Sequence, residues 1–224
     1  MSPSKFSILL ALVALLALTG ADCVVKFSSG TFRDKDEGDE EDEHVSTLAT
    51  EVNQGRFIDA PVQGIGYASG SVDGLTGENG KFLYEAGQPV RFFIGDIVLG
   101  EAPQGAAVLT PLDLVPGGDI DTPAVINIAR LLQSLDALPG DARITLPDSL
   151  HATAQDSNEA LSASIESLDF HDDNAFVNAA SQIIATLTAP YPFTATLVDS
   201  ETARQHLLES LAAEAERGRG ISLE

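Results

Sequence analysis

The stretch that decides the fold of this chain is Val90-Arg91-Phe92-Phe93-Ile94-Gly95-Asp96-Ile97-Val98-Leu99-Gly100. Residues 90–94 are mostly β-branched and aromatic, which predicts a strand. Gly95-Asp96 supplies a tight hairpin turn, and residues 97–100 run back as a second strand. Two short strands joined so closely predict an antiparallel pair, and therefore a module built on a β-sheet.

Short β-prone runs separated by Gly, Pro, Asn and Asp continue on both sides of this hairpin, so residues 57–115 are predicted to form one β-rich module. Residues 69–79 are mostly turn formers, and we expect no strand there. The other extended runs are residues 57–62, 64–68, 81–85 and 106–114. Closely spaced strands joined by turns predict antiparallel pairing in a β-sandwich-like module.

Residues 116–216 are predicted to be a helical region packed on the β-module. Thr122-Pro123 is typical of a helix start, with Thr as the N-cap and Pro at the first helical position. The apolar residues that follow recur every three or four positions and predict one buried face: Val125, Ile128, Leu132 and Leu135. The predicted fold class is therefore α+β, an antiparallel β-sandwich-like N-terminal module followed by a helical C-terminal part.

Shorter signals complete the helical region. The further helices that we predict cover residues 158–168, 174–187 and 200–216, with a short strand within residues 142–146. Residues 217–224 have no apolar periodicity and are expected to be a frayed tail.

The N-terminus reads as an export signal. Lys5 precedes an unbroken apolar run of eleven residues from Ile8 to Leu18, followed by small residues. This run is shorter than the roughly 20 residues that a membrane-spanning helix needs. Residues 1–22 are therefore predicted to be a signal peptide that is removed on export.

Residues 23–56 are predicted to form an acidic flexible tether, because residues 33–44 hold eight carboxylates in twelve positions. Cys23 is the only cysteine, so an internal disulfide is impossible. Its position suggests the lipid-bearing first residue of a bacterial lipoprotein. Two extra residues, Ala21 and Asp22, separate it from the usual motif, so cleavage after Ala21 with a free thiol at Cys23 stays an equal alternative.

The charge balance limits the partners. The chain carries 34 acidic and 12 basic residues, a formal net charge of −22. Such a surface repels nucleic acid and anionic lipid headgroups. We therefore expect no nucleic-acid partner, and contact with a membrane only through an N-terminal lipid anchor.

No catalytic residue can be assigned from motifs. The four histidines are far apart, and neither a His-Glu-x-x-His pair nor a Gly-x-Ser-x-Gly turn occurs. His206 lies beside two leucines on a predicted helix, and we interpret it as a packed or capping histidine more readily than as a general base. A carboxylate-based hydrolase stays open, because its two acids can be far apart in sequence.

Calcium is the one cofactor that the acidic loops would suit. Asp119 and Asp121 lie in a glycine-rich loop before the first helix, and Asp73 and Glu78 lie in the β-rich region. Carboxylates in flexible loops are typical calcium ligands. The simpler interpretation, which we prefer, is turn formation and helix capping.

A resemblance adds to this interpretation. Residues 74–82, Gly-Leu-Thr-Gly-Glu-Asn-Gly-Lys-Phe, resemble the Thr-x-x-x-Gly-x-Phe signature of carboxypeptidase-regulatory-like and transthyretin-type β-sandwiches. The resemblance implies that Gly80 permits a tight turn and that Phe82 fills the core.

A longer pattern is similar to a poorly characterised group of bacterial cell-envelope proteins, many of them lipoproteins with adhesin-like labels. It covers roughly residues 57–211. It is carried by residues 64–67, 76–82, 87–100, 109–114, 127–136 and 203–208. The resemblance implies that the chain lies in the cell envelope and has the fold of that group. It assigns no catalytic residue to this sequence.

The first predicted helix also carries polar residues every three positions, namely Asn127, Arg130, Gln133 and Asp136. Such a stripe normally faces water. Alternatively, Arg130 pairs with a carboxylate of the β-region such as Asp113, in a structural role that joins the two halves.

The expected function is that of a non-enzymatic exported envelope or surface protein that binds a partner or supports an envelope assembly. An exported carboxylate-based hydrolase and a calcium-dependent adhesive module are the alternatives.

Overall fold

The computed structural model describes residues 50–156 and 158–220. The predicted signal peptide, Cys23 and most of the predicted tether lie outside these residues. The strands are β1 (Val52–Phe57), β2 (Val62–Gln63), β3 (Gly66–Ser69), β4 (Val72–Leu75), β5 (Lys81–Glu85), β6 (Val90–Ile94), β7 (Ile97–Ala102), β8 (Val108–Leu109) and β9 (Ile144–Thr145). The α-helices are α1 (Pro123–Ser134), α2 (Ser149–Gln155), α3 (Glu159–Glu166), α4 (Asp173–Leu187) and α5 (Ser200–Gly220).

The α+β class is confirmed, and so is the hairpin that decides it. β6 and β7 pair antiparallel across the Gly95-Asp96 turn, within a four-stranded sheet of order β4-β3-β6-β7. A second sheet has the order β5-β1-β8, in which β1 pairs antiparallel with β5 and parallel with β8. β2 and β9 also pair in parallel. Parallel pairs join segments that are distant along the chain, which local turn signals do not predict.

Aromatic side chains from both sheets meet in one core. Phe57 and Phe82 belong to the three-stranded sheet, and Tyr67 and Phe92 belong to the four-stranded sheet. The ring centroids of Phe57 and Phe92 are 4.6 Å apart, and those of Phe82 and Phe92 are 5.2 Å apart and nearly perpendicular. Such edge-to-face and tilted packing adds to the apolar burial that holds the two sheets together.

Helix α1 is buried on most of its circumference. It begins at Pro123, as predicted, and its apolar residues Val125, Ile128, Leu132 and Leu135 are at most 1% exposed. These residues belong to the same hydrophobic cluster as the aromatic core of the sheets. The β-strands and the helices therefore share one core.

Four segments differ from the sequence prediction, and one of them is helix α2 (Ser149–Gln155), which no local signal predicted. Strand β4 lies within residues 69–79, which we expected to be turn, and none of its side chains is fully buried, so it lacks the apolar pattern of a strand. Residues 52–56 of the predicted tether belong to β1, in which Gly55 lies opposite Phe82 of β5. Helix α5 continues to Gly220, into the predicted frayed tail.

Among the described residues, no helix is long and apolar enough to cross a bilayer.

The Thr-x-x-x-Gly-x-Phe motif has a physical explanation in this fold. The Thr76 hydroxyl accepts a hydrogen bond from the backbone N–H of Ile65 at 3.1 Å and donates to the carbonyl of Val62 at 2.8 Å. Gly80 has a φ of +71°, a backbone conformation that side chains disfavour. Phe82 is 1% exposed. The motif thus closes one turn by a buried hydroxyl and begins the strand that fills the core.

Replacing Gly80 with Ala is expected to lower the free energy of unfolding by at least about 2 kcal/mol, from the left-handed backbone and a steric clash. An added Cβ would lie 2.3 Å from the carbonyl oxygen of Phe57, a backbone atom that cannot move aside. Gly77→Ala is the matched control, because its Cβ would meet nothing within 4 Å. Urea denaturation of both variants checks this, and equal stabilities would contradict it.

Candidate functional site

The described residues contain a fully buried carboxylate that sequence reasoning missed. Asp59 lies in the turn 58–61 that follows β1, and it is 0% exposed. Its oxygens accept hydrogen bonds from Nε2 of Gln133 in α1, at 3.2 and 3.1 Å, and contact Nδ1 of His206 in α5 at 3.1 Å. A buried carboxylate is costly without such partners. Asp59 therefore joins the turn to two helices.

Asp59 and His206 each change the pKa of the other. Burial raises the pKa of Asp59, although its bonds to His206 and Gln133 act in the opposite direction. The hydrogen bond to Asp59 raises the pKa of His206 against the effect of partial burial. The pair is thus an imidazole whose Nδ1 is directed at a carboxylate, which leaves Nε2 as the nitrogen available to a ligand.

The backbone beside Asp59 is held in an uncommon conformation. Ala60 has a φ of +51°, which is rare for a residue with a side chain. Its N–H donates to the hydroxyl oxygen of Ser210 at 2.8 Å, and that hydroxyl donates to the carbonyl of His206 at 2.9 Å. Both bonds occupy Ser210, so its hydroxyl is not poised as a nucleophile beside the imidazole.

A cleft of about 250 Å³ lies between α5 and the turn 58–61, and we name it the His206 cleft. Its lining combines small or apolar residues with charged ones: Ile58, Ala60, Pro61, Ala142, Ala213 and Ser210, with Asp141, His206, Glu209 and Arg217. The His206 side chain is 39% exposed. Polar and apolar residues contribute about equally to this lining, and a combination of apolar surface with oriented polar groups is what a binding site needs.

The predicted calcium ligands have other partners. Asp119 Oδ1 accepts hydrogen bonds from the Thr122 hydroxyl and the Asp121 N–H, at 2.9 and 3.0 Å, and these bonds lower the pKa of Asp119. Asp121 Oδ1 accepts a hydrogen bond from Nε of Arg204 at 2.7 Å. Asp73 lies in β4 and Glu78 in the 3-10 turn before β5. Within residues 50–156 and 158–220, no three His, Cys, Asp or Glu side chains are grouped to hold a metal ion.

Calcium is expected to leave the melting temperature of the folded body unchanged. Asp121 is already paired with Arg204, and Asp119 already accepts local hydrogen bonds, so a cation would have to displace both. Thermal melts with about 10 mM calcium, which is at least about tenfold over the Kd values of extracellular calcium modules, and with a chelator check this. A rise of several degrees with calcium would restore the adhesive-module alternative.

Arg130 does not pair with Asp113, the β-region carboxylate that the sequence suggested as its partner. Its Nε donates to the carbonyl of Val198 at 2.8 Å, and its Nη1 donates to Oδ1 of Asn127 at 2.9 Å. Its guanidinium lies 5.1 Å from the Phe176 ring centroid. Asp113 instead accepts hydrogen bonds from the N–H and hydroxyl of Thr110. Arg130 thus joins helices of the C-terminal part rather than the two halves.

The polar stripe of α1 is buried and does not face water. Asn127, Arg130 and Asp136 are at most 9% exposed, and desolvation lowers the pKa of Arg130. Asn127 donates to Oδ1 of Asp173 at 2.8 Å, and Gln133 donates to Asp59. The spacing of the stripe was visible in the sequence, but its distant partners were not.

Comparison of the chain with protein-family models, with curated proteins and with solved structures gives no match.

Proposed function

We propose that this chain is an exported, non-enzymatic cell-envelope or surface protein that binds a partner at the His206 cleft, and that its β-strands form a sandwich-like module supporting this site. The observation that carries the proposal is the half-exposed imidazole of His206, held in a fixed orientation by a fully buried carboxylate beside a cleft. Export and envelope location rest on the signal-like residues 1–22 and on the resemblance.

The cleft favours binding because its polar groups are already oriented. The contact of Asp59 with Nδ1 fixes the ring of His206, so a partner that accepts or donates a hydrogen bond at Nε2 loses little side-chain entropy on binding. The apolar part of the lining, including Ile58 and Pro61, offers surface that a partner can cover. The charged rim, Asp141, Glu209 and Arg217, supplies selectivity through charge complementarity.

Hydrogen exchange tests this proposal even while the partner is unidentified. The purified mature protein is incubated with small-molecule and macromolecular fractions of an envelope extract from a bacterium that encodes it. We expect one fraction to protect peptides covering residues 57–63 and 204–217, and not peptides of α4. His206→Asn should lose this protection, whereas His171→Asn, an exposed histidine elsewhere, should keep it.

Two results would contradict the proposal. The first is that no fraction protects the cleft peptides. The second is that His206→Asn is protected as well as the wild-type protein.

An exported hydrolase is the second candidate, favoured by the same pair of residues. A carboxylate that orients an imidazole toward a cleft is the arrangement that general-base catalysis uses. A panel of ester, glycoside and peptide substrates separates the two functions. Turnover that His206→Asn abolishes would favour the hydrolase, whereas absence of such turnover together with cleft protection favours binding.

A further inference from the structure

The two halves of α5 are attached to the body in different ways. Residues 200–207 include Ala203 and Leu207, which are both 0% exposed, and the carbonyl of Ala203 accepts a hydrogen bond from Gln133. Residues 208–218 contain no fully buried side chain. Apolar burial therefore anchors the first half of the helix and not the second.

Polar contacts hold the second half, residues 208–220, which we name the strap. Arg56 of β1 pairs with Glu214, and the N–H of Ala60 donates to Ser210. The Arg56 and Glu214 side chains are 27% and 14% exposed. Leu211 adds a partly buried apolar contact. Water still reaches part of the Arg56–Glu214 pair, so it contributes less to docking than full apolar burial would, while remaining the main side-chain contact between the strap and β1.

The anchored turn directly before the strap carries an imidazole whose charge depends on pH. His206 contacts Asp59 of the turn 58–61, lies near Glu209 of α5 and Asp136 after α1, and shares its cleft with Asp141 and Arg217. Because the pKa of His206 is raised in the folded protein, its contribution to stability is fully present below the unfolded pKa of about 6.5. That contribution is lost as the pH rises through the higher folded pKa.

The residues of the strap form one wall of the cleft. Glu209, Ser210, Ala213 and Arg217 lie on the strap, and Ile58, Ala60 and Pro61 lie on the facing turn. We infer that the strap undocks from this turn as a unit while residues 200–207 stay anchored, and that its movement opens and closes the His206 cleft. The strap thereby regulates the site at which we propose partner binding, and its biological role rests on that proposed function.

The inference predicts a distinct pattern of amide exchange. An isolated helix of this length is only marginally stable in water, so an undocked strap frays and its amides exchange. In the ligand-free mature protein at pH 6, we expect strap amides to be at least tenfold less protected than those of α4. After correction for intrinsic exchange rates, strap protection should fall at least threefold further between pH 6 and pH 8.5.

Charge-matched variants isolate the contact that docks the strap. Glu214→Gln removes the pair with Arg56 and also the pair with Arg217 of the same helix, and it should speed strap exchange at least fivefold while α4 is unaffected. Arg217→Gln removes only the pair within the helix and should have a much smaller effect. Glu216→Gln removes one exposed charge from the same helix and should have little effect. His206→Asn should abolish the pH dependence of strap exchange.

Three results would contradict the inference that the strap undocks. They are strap amides as protected as those of α4, strap protection that does not change with pH, and equal effects of Glu214→Gln and Glu216→Gln on strap exchange. None of these measurements uses a partner. The strap can therefore be found to undock even if no envelope fraction protects the cleft peptides. That combination would refute the binding function and support the inference about the strap.

Discussion

Replacing His206 with Leu is expected to lower the free energy of unfolding at pH 6 by about 2–4 kcal/mol. The change leaves Asp59, which is 0% exposed, with Gln133 as its remaining side-chain partner. Removing one member of a buried charged pair costs about 3–5 kcal/mol, and the partial exposure of His206 reduces this. Chemical denaturation of the full mature chain measures the effect.

The pH dependence of this loss gives the sharper test. The hydrogen bond to Asp59 raises the pKa of His206 in the folded protein, so the contribution of His206 to stability is fully present below the unfolded pKa of about 6.5 and is lost as the pH rises through the folded pKa. The destabilisation should therefore be largest at about pH 6 and shrink as the pH is raised toward 8.5. His171→Leu, at an exposed position before α4, is the control and should change stability by less than about 0.5 kcal/mol. A loss that is constant with pH would show that packing alone, and not the charged pair of His206 and Asp59, explains the effect.

Phe82→Ala is expected to lower the free energy of unfolding by about 3–5 kcal/mol. Phe82 is 1% exposed, and its ring lies 5.2 Å from that of Phe92 and 5.8 Å from that of Tyr67. The ring also covers the backbone of Gly55 in β1, where even an added Cβ would approach it to 2.6 Å. Removing the ring leaves a cavity between the two sheets that close packing does not let the neighbours fill.

The adjacent residue provides the matched control. Leu83 follows Phe82 in β5, points to the opposite face of the strand and is 42% exposed. Leu83→Ala should therefore cost less than about 1 kcal/mol, because little apolar area is lost to water. If the two variants unfold at the same denaturant concentration, the assignment of Phe82 to the shared core is wrong.

Local patterns predicted those elements that are stabilised locally. The β6–β7 hairpin follows from β-prone residues around Gly95-Asp96, and α1 begins at Pro123 because Pro fits the first turn of a helix. Strand β4 was missed because its sequence, Val-Asp-Gly-Leu, does not alternate apolar and polar residues and contains a glycine, which is uncommon in strands. The parallel pairing of β1 with β8 has no local signal, since the partner strand is supplied by a distant segment.

The candidate site was beyond sequence reasoning for the same physical reason. His206 was recognised as lying on a helix beside leucines, and Gln133 as part of a polar stripe, but neither pattern names a partner. Asp59 is 74 residues from Gln133 and 147 from His206 along the chain, and only folding brings the three together. Asp119 and Asp121, which the sequence suggested as calcium ligands, have other partners in the structure. Asp119 accepts a hydrogen bond from Thr122, and Asp121 pairs with Arg204.

By itself, the sequence determined the β-rich and helical regions, the α+β class and the residues that fill the core, because strand and helix periodicity are set by neighbours a few positions apart. Only the tertiary structure decided that Asp59 is buried, that Arg130 lies against Phe176, and that half of α5 is held by polar contacts. These features depend on which distant surfaces exclude water from one another, and no local pattern records that.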